Sequence, residues 1–383
     1  MIFSGAWHQT MAIAALLIAT AIPLLFLYLI RTLDLYGTGS PRAILFSFTW
    51  GALSVVLAST LYRLSPYRLD AAPLAPYAAP LLEETLKALI LLYLVRRPNF
   101  TYFVDGAIYG FAVGIGFAVF ENYLYILQNL DAGLGTALGR VLSTNLMHAS
   151  AGAIVGIALG LSRFQRFSGR LFHLLSGLLL AFLLHAAFNR LVTEPDEGQL
   201  FLYATGVGLS GLAFTALTIR RGLAREKTWI SETLGLANRV SAAEATAAGD
   251  LHSADTFLTP LAKLFGSEKA AQIEKLLLLQ AQLGILRKTR DRAQHDEHTY
   301  HALSLQIDRK QAEMETVRRS IGAYIMASLR MLFPDEGSPL WHRLQASLNL
   351  RAAEEAGQDA TENLFTLVER RSMQQDQKRQ SAE

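Results

Sequence analysis

Leu81-Leu82-Glu83-Glu84-Thr85-Leu86-Lys87-Ala88-Leu89-Ile90-Leu91-Leu92-Tyr93-Leu94-Val95 decides the reading of this chain. The stretch is long and apolar enough to be one side of a membrane helix, yet two acids and a lysine interrupt it. A charge at the centre of a membrane helix costs roughly 2.5 to 3.5 kcal/mol even on lenient insertion scales, so such groups mark function by default. Working outward, the same anomaly recurs: Glu121 and Asn122 end one apolar run, Asn145 and His148 lie in the next, and His185 and Asn189 in the one after.

The 383 residues have mean hydropathy +0.26 and are 51% hydrophobic, too apolar for ordinary soluble domains. Up to Arg221 there are 14 Lys+Arg and 10 Asp+Glu, leaving 21 and 22 for the remainder, so the chain divides into an apolar and a charged half. The basic balance of the first half belongs to loops between apolar runs and is no sign of nucleic acid. Cysteine is absent, which excludes disulfides, thiolate metal sites and cysteine nucleophiles.

Seven runs near 7–30, 42–62, 74–95, 104–127, 136–161, 171–193 and 199–219 reach the length of about 20 residues that spans a bilayer core. Pro73, Pro76 and Pro80 make the start of the third a candidate for an irregular or re-entrant segment. No Lys or Arg precedes Arg31, so the first run lacks the basic leader of a cleaved signal and is expected to be retained. Eleven basic residues flank one set of run ends (Arg31, Arg42, Arg96, Arg97, Arg163, Arg166, Arg170, Arg220, Arg221, Arg225 and Lys227), against Arg63, Arg68, Arg140 and Arg190 on the other. The positive-inside rule then places the N-terminus outside and the C-terminal half in the cytoplasm.

The expected fold is all-α: a membrane domain over 1–221, then a cytoplasmic helical bundle or coiled coil over 222–371. A polar tail over 372–383 is expected to be disordered. Ile273, Leu276, Leu277, Leu283 and Leu286 recur at helical spacing, as do Leu303, Ile307, Met314, Val317, Ile321 and Ile325. Thr259-Pro260 and Ser338-Pro339 read as helix starts, with a break over Pro334 to Gly337. The leucine stripe at 276–286 is expected to bind a cytoplasmic partner or a second copy. His295, His298 and His301 spread around a helix and read as a solvated face. Gly110, Gly114 and Gly116 read as close helix contact, and Asp105 and Tyr109 as interfacial anchors.

Counted from the outer end of each run, Glu83, Glu121, His148 and His185 lie 9, 6, 12 and 8 residues deep. That is about 9 to 18 Å, so the four can share one layer. Histidine nitrogen and carboxylate oxygen are standard zinc ligands, and a catalytic site keeps three of them plus a water. Glu121, His148 and His185 are the candidate ligands. Glu83 or Glu84 would take a proton from the water, Lys87 would offset the second acid, and Asn189 would donate to an oxyanion. Asn145 would orient His148, and Asn122 extends the polar patch.

These residues resemble a known family. Glu83-Glu84-Thr85-Leu86-Lys87, Phe117-Ala118-Val119-Phe120-Glu121-Asn122, His148-Ala149-Ser150-Ala151-Gly152 and His185-Ala186-Ala187-Phe188-Asn189 are similar, in order, to the motifs of PrsW-type intramembrane proteases. Their superfamily includes the CAAX prenyl proteases and bacteriocin-processing enzymes. The resemblance covers roughly residues 10 to 220. It implies a bacterial inner-membrane endopeptidase that cuts membrane-anchored proteins on the extracytoplasmic side, as in the removal of an anti-sigma factor. It also implies that Glu83 activates water, that Glu84 is a second motif carboxylate, that Glu121 and His185 lie at the metal, and that Asn189 contacts oxyanion or substrate. Prenyl proteases have His in place of Glu121 and Arg one position past Lys87, so metal-assisted and metal-free, glutamate-centred hydrolysis both stand as expectations. The competing classes are a proton- or ion-coupled transporter, against which no matching pair of interrupted helices is found, and a non-catalytic scaffold.

Overall fold

The computed structural model describes residues 2–65, 75–98, 100–129, 133–192, 197–234, 247–249, 254–294 and 296–332. Secondary structure among them is helical throughout. The membrane half comprises α1 (Ile2–Thr32), α2 (Pro41–Leu64), α3 (Ala75–Leu94), α4 (Phe103–Gln128), α5 (Gly133–Arg140), α6 (Leu146–Ser162), α7 (Phe167–Val192) and α8 (Glu197–Leu234). It is followed by α9 (Ala254–Phe265), α10 (Ser267–Arg292), α11 (Glu297–Ile321) and α12 (Ala323–Leu332). Five of the described helical segments are long and apolar enough to cross a membrane: Thr10–Thr32, Pro41–Leu64, Phe103–Gln128, Ala137–Ser162 and Phe167–Leu191. The third of the seven expected runs falls outside that set on composition, since Glu83, Glu84 and Lys87 all lie in α3.

Helix α4 is the axis of the membrane half. It is apolar all round, as a helix with no solvent face must be, and every residue from Phe103 to Val119 is buried. It packs most extensively on α6, then on α2 and α1. Glycine makes the α4–α6 contact: a Cβ added at Gly106, Gly110 or Gly114 would fall on the carbonyl oxygens of Gly156, Gly152 and His148 respectively. Backbones approach that closely only where no side chain stands between them. On the opposite side of α4, Gly51 faces the Val113 carbonyl and Gly116 faces that of Phe48.

Several expectations are corrected. Pro80 lies inside α3, which is helical from Ala75; Pro73 lies outside the described residues. Helix α8 continues without a break through Gly222, the position at which the sequence divides the halves, and so runs from one into the other. Thr259-Pro260 sits within α9 and starts no helix. Asp105 and Tyr109 are buried, not interfacial. The Asp105 carboxylate accepts from the Thr101 N–H at 2.6 Å and from Thr38 Oγ1 at 3.2 Å, and the Tyr109 hydroxyl accepts from the Ser40 N–H at 2.8 Å. They therefore tie the α1–α2 loop to the start of α4. The leucine stripe is no docking face: Leu276, Leu277, Leu283 and Leu286 are buried in a core shared with Ile230, Leu261, Leu303 and Ile307. His295, Ser338-Pro339, the break at 334–337 and the 372–383 tail lie outside the described residues.

Candidate active site

Four helices deliver the polar groups to one level. On α3, Glu84 and Lys87 are three apart and share a face; both are about 1% exposed, and Lys87 Nζ lies 2.5 Å from Glu84 Oε1. The same Glu84 oxygen accepts from His185 Nδ1 of α7 at 2.8 Å. Lys87 Nζ also reaches His148 Nδ1 of α6 at 3.1 Å, and His148 Nε2 reaches Glu121 Oε2 of α4 at 3.2 Å. Glu83 Oε2 stands 3.8 Å from His185 Nε2. Phe117 closes the floor, with Lys87 Nζ 4.5 Å above its ring and the His148 ring 4.8 Å away. The two imidazoles meet edge to face at 4.7 Å.

The pairing fixes what each group can do. Lys87 has only protons to give, so His148 Nδ1 accepts and its Nε2–H donates to Glu121. Glu84 takes the His185 Nδ1–H, leaving the lone pair of His185 Nε2 directed elsewhere. A carboxylate behind a histidine in this manner is the usual support for a metal-binding imidazole. Glu84 Oε2 is buried with no hydrogen-bond partner. Three acids thus have three different environments. Glu84 is locked to Lys87 and His185; Glu121 is held by His148 and, at 3.4 Å, by Arg140 Nη2; Glu83 has no hydrogen bond among the described residues, and only the His185 approach.

Arg140 is the residue that sequence reasoning passed over, having placed it in an outer loop. Its Nε donates to Asn122 Oδ1 at 2.8 Å, and Asn122 Nδ2 donates to Asn145 Oδ1 at 2.6 Å. Arg140 reaches inward because a π-helical turn, Val141–Asn145, follows it before α6 begins. Such turns insert a residue into a helix and recur at functional sites. Asn145 lies in that turn and binds Asn122 rather than His148. Asn189, half-buried one turn beyond His185, makes no hydrogen bond among the described residues. The helix approach at Gly114 sets His148 against α4, and Trp50 Nε1 of α2 donates to the Leu86 carbonyl at 2.9 Å, holding α3 in place.

The donor chemistry fits a metal ion. One ligand atom each of Glu83, His148 and His185 lie within 4.8 Å of one another. That limit is about 1.5 Å wider than the spacing of about 3.3 Å between ligands of a tetrahedral zinc with bonds of about 2.0 Å, so the side chains would have to close in around an ion. This closest set differs from the expected trio in containing Glu83, whereas Glu121 touches His148 from the other side.

The family described as PrsW family intramembrane metalloprotease matches residues 39–218. The chain is 29% identical over 196 residues to Protease PrsW of Geobacillus kaustophilus (strain HTA426), covering 50% of this chain and 85% of that protein. It is 36% identical over 113 residues to Protease PrsW of Bacillus subtilis (strain 168), covering 29% of this chain and 50% of the relative. With Protease PrsW of Halalkalibacterium halodurans it shares 33% identity over 121 residues, 31% of this chain and 54% of that one. The chain therefore spans about half the length of the last two relatives. No solved structure matches.

Proposed function

We propose that this chain is an intramembrane peptidase of the PrsW family, which matches residues 39–218, and that Glu83 is its water-activating base. The observation that carries the assignment is the contrast among the three acids. Glu84 and Glu121 are each fixed by a cation and a histidine, whereas Glu83 is unanchored and within reach of both histidines. A group that must take a proton and later give it to the leaving amine needs that freedom.

A metal, when bound, would be held by His185, by Glu121, the carboxylate that Arg140 orients, and by His148 once its Nε2 has given up the proton it shares with Glu121, and zinc suits this donor set. The ion supplies a water more acidic than bulk water. Glu84 and Lys87 keep the His185 ring in one tautomer and one orientation. Asn189, one turn on, is free to donate its amide to the oxyanion or to the substrate backbone.

The topology proposed with this mechanism has seven spans, adding α3 and the first part of α8 to the five apolar helices. The N-terminus is outside and residues 222–371 are cytoplasmic, in a bacterial inner membrane, with the centre in the outer half of the bilayer. The arginine asymmetry of the loops supports that orientation. The substrate class is a membrane-anchored protein cut near the outer face, of which an anti-sigma factor is an example.

Proteoliposomes carrying a single-span reporter, with metal content measured on the same preparation, test the roles. Glu83→Gln is expected to lower cleavage at least about 100-fold while keeping the metal; Glu121→Ala and His185→Ala are expected to lose both. Metal lost from Glu83→Gln but kept in Glu121→Ala would exchange the two roles, and undiminished cleavage by Glu83→Gln would end the assignment.

A further inference from the structure

A cavity lies away from the proposed active site, where the α6–α7 turn meets the end of α3 and the C-terminal helices. Its volume is about 920 Å³, within the range of small-molecule sites. Arg96, Arg163, Arg166, Arg170 and Arg292 line it. None of these guanidinium groups is in an ion pair with a carboxylate among the described residues. The one acid in the lining, Asp296, is turned onto Thr299, accepting from its N–H at 3.2 Å and its Oγ1 at 2.7 Å.

Arg163 is the anchor. It is 8% exposed, and both Nη1 and Nη2 are buried without a hydrogen-bond partner. Burial pushes its pKa down to about 10, which still leaves the side chain charged at neutral pH. The guanidinium lies over the Phe100 and Phe164 rings, 5.6 and 5.4 Å from their centroids, and the charges of Asp105 and Asp296 offset part of its burial; its two Nη groups still lack an acceptor, a cost that an anion in the cavity would relieve. The positive-inside rule explains four of these arginines as loop residues but not the fifth, since Arg292 comes from the end of α10. One side of the cavity wall is apolar, with Leu92, Leu159 and Leu174, and it includes Phe167 and Leu171, which are 81% and 43% exposed.

We propose that this cavity binds an anionic phospholipid, its phosphate among the arginines and its acyl chains along Leu171 and Phe167. Guanidinium forks match phosphate oxygens in pairs, and the apolar apron suits a headgroup with a tail better than a free phosphate ion.

The full chain in neutral detergent, titrated with phosphatidylglycerol, phosphatidylcholine or inorganic phosphate, provides the test by native mass spectrometry and thermal unfolding. Variants are made at exposed Arg166 and Arg170, whose loss leaves the buried Arg163 in place. Phosphatidylglycerol is expected to stay bound and raise the midpoint, and phosphatidylcholine to do neither. Arg166→Gln with Arg170→Gln is expected to weaken phosphatidylglycerol about fivefold per charge and about 25-fold together. Arg220→Gln with Arg221→Gln, exposed basic residues outside the cavity lining, is expected to leave it unchanged. Equal retention of the two lipids, or undiminished binding by the 166/170 variant, would overturn the proposal. Protection by inorganic phosphate with nothing added by the lipid would keep the anion site and overturn the lipid.

Discussion

At the residue scale, the membrane half buries a cation between two partners. Lys87 lies against Glu84 and His148, over the Phe117 ring of α4, and is 1% exposed. Removing one member of a buried pair leaves the other uncompensated, so Lys87→Met is expected to destabilise the fold by about 3 to 5 kcal/mol, measured by thermal unfolding in detergent. Arg140→Ala should behave differently. Arg140 is one-fifth exposed at its side chain, so the fold should survive while cleavage falls as Glu121 and Asn122 lose their anchor. The acids, histidines and lysine were legible in sequence because an ionisable residue in an apolar run has few innocent explanations. Arg140 was not, because a basic residue at a run's edge already has an explanation in topology, and the turn that points it inward leaves no compositional trace. The exchange of Glu83 for Glu121 in the closest donor set was equally hidden: helical spacing gives a face and a depth, and the distances depend on how far apart the backbones stand.

At the element scale, α4 and α6 work as one unit through their glycines. Gly110→Leu is expected to force the pair apart, costing about 1 to 3 kcal/mol or more and reducing cleavage, whereas a leucine at exposed Gly135, where nothing lies near an added Cβ, should be tolerated. The glycines were readable as a packing stripe, and the structure gives Gly152, the last residue of the third motif, the same role: it faces Gly110. The π-helical turn was not readable, since it differs from an ordinary turn by one residue. Deleting Leu142 should convert it to regular helix, swing Arg140 about 100 degrees away from Glu121 and silence the enzyme with every site residue intact. Helix boundaries near the membrane surface were the weakest part of the sequence reading. Hydropathy ends α8 near residue 219, while its hydrogen bonding continues to Leu234.

At the scale of the whole molecule, the halves are joined by buried polar groups as well as by α8. Glu226, on the cytoplasmic stretch of α8 in the proposed topology, is fully buried with neither carboxylate oxygen bonded. Burial raises its pKa well above the ordinary carboxylate range, and the charges of Asp105 and Asp34 add to the shift. Asp34 is raised as well, because burial outweighs the hydrogen bonds it accepts from the 37–39 backbone and from Thr38. A carboxylate raised on folding stabilises the protein below its unfolded pKa, and that contribution is lost as pH climbs through the folded value. Glu226→Gln is therefore expected to raise the unfolding midpoint at neutral pH, by about 2 to 4 °C for each kcal/mol relieved, with the gain vanishing toward pH of about 4. Tyr36 supplies the other joint. It belongs to the α1–α2 loop, yet its ring is 1% exposed within the core of the C-terminal helices. Its hydroxyl donates to the Gly249 carbonyl at 2.9 Å, and its own carbonyl accepts from Gln282 Nε2 at 2.9 Å. The C-terminal half is thus not a detachable module. Grafted onto another membrane enzyme, or produced as a fragment, it would carry a tyrosine-shaped hole, and a successful transplant would have to bring the host's first loop along with it.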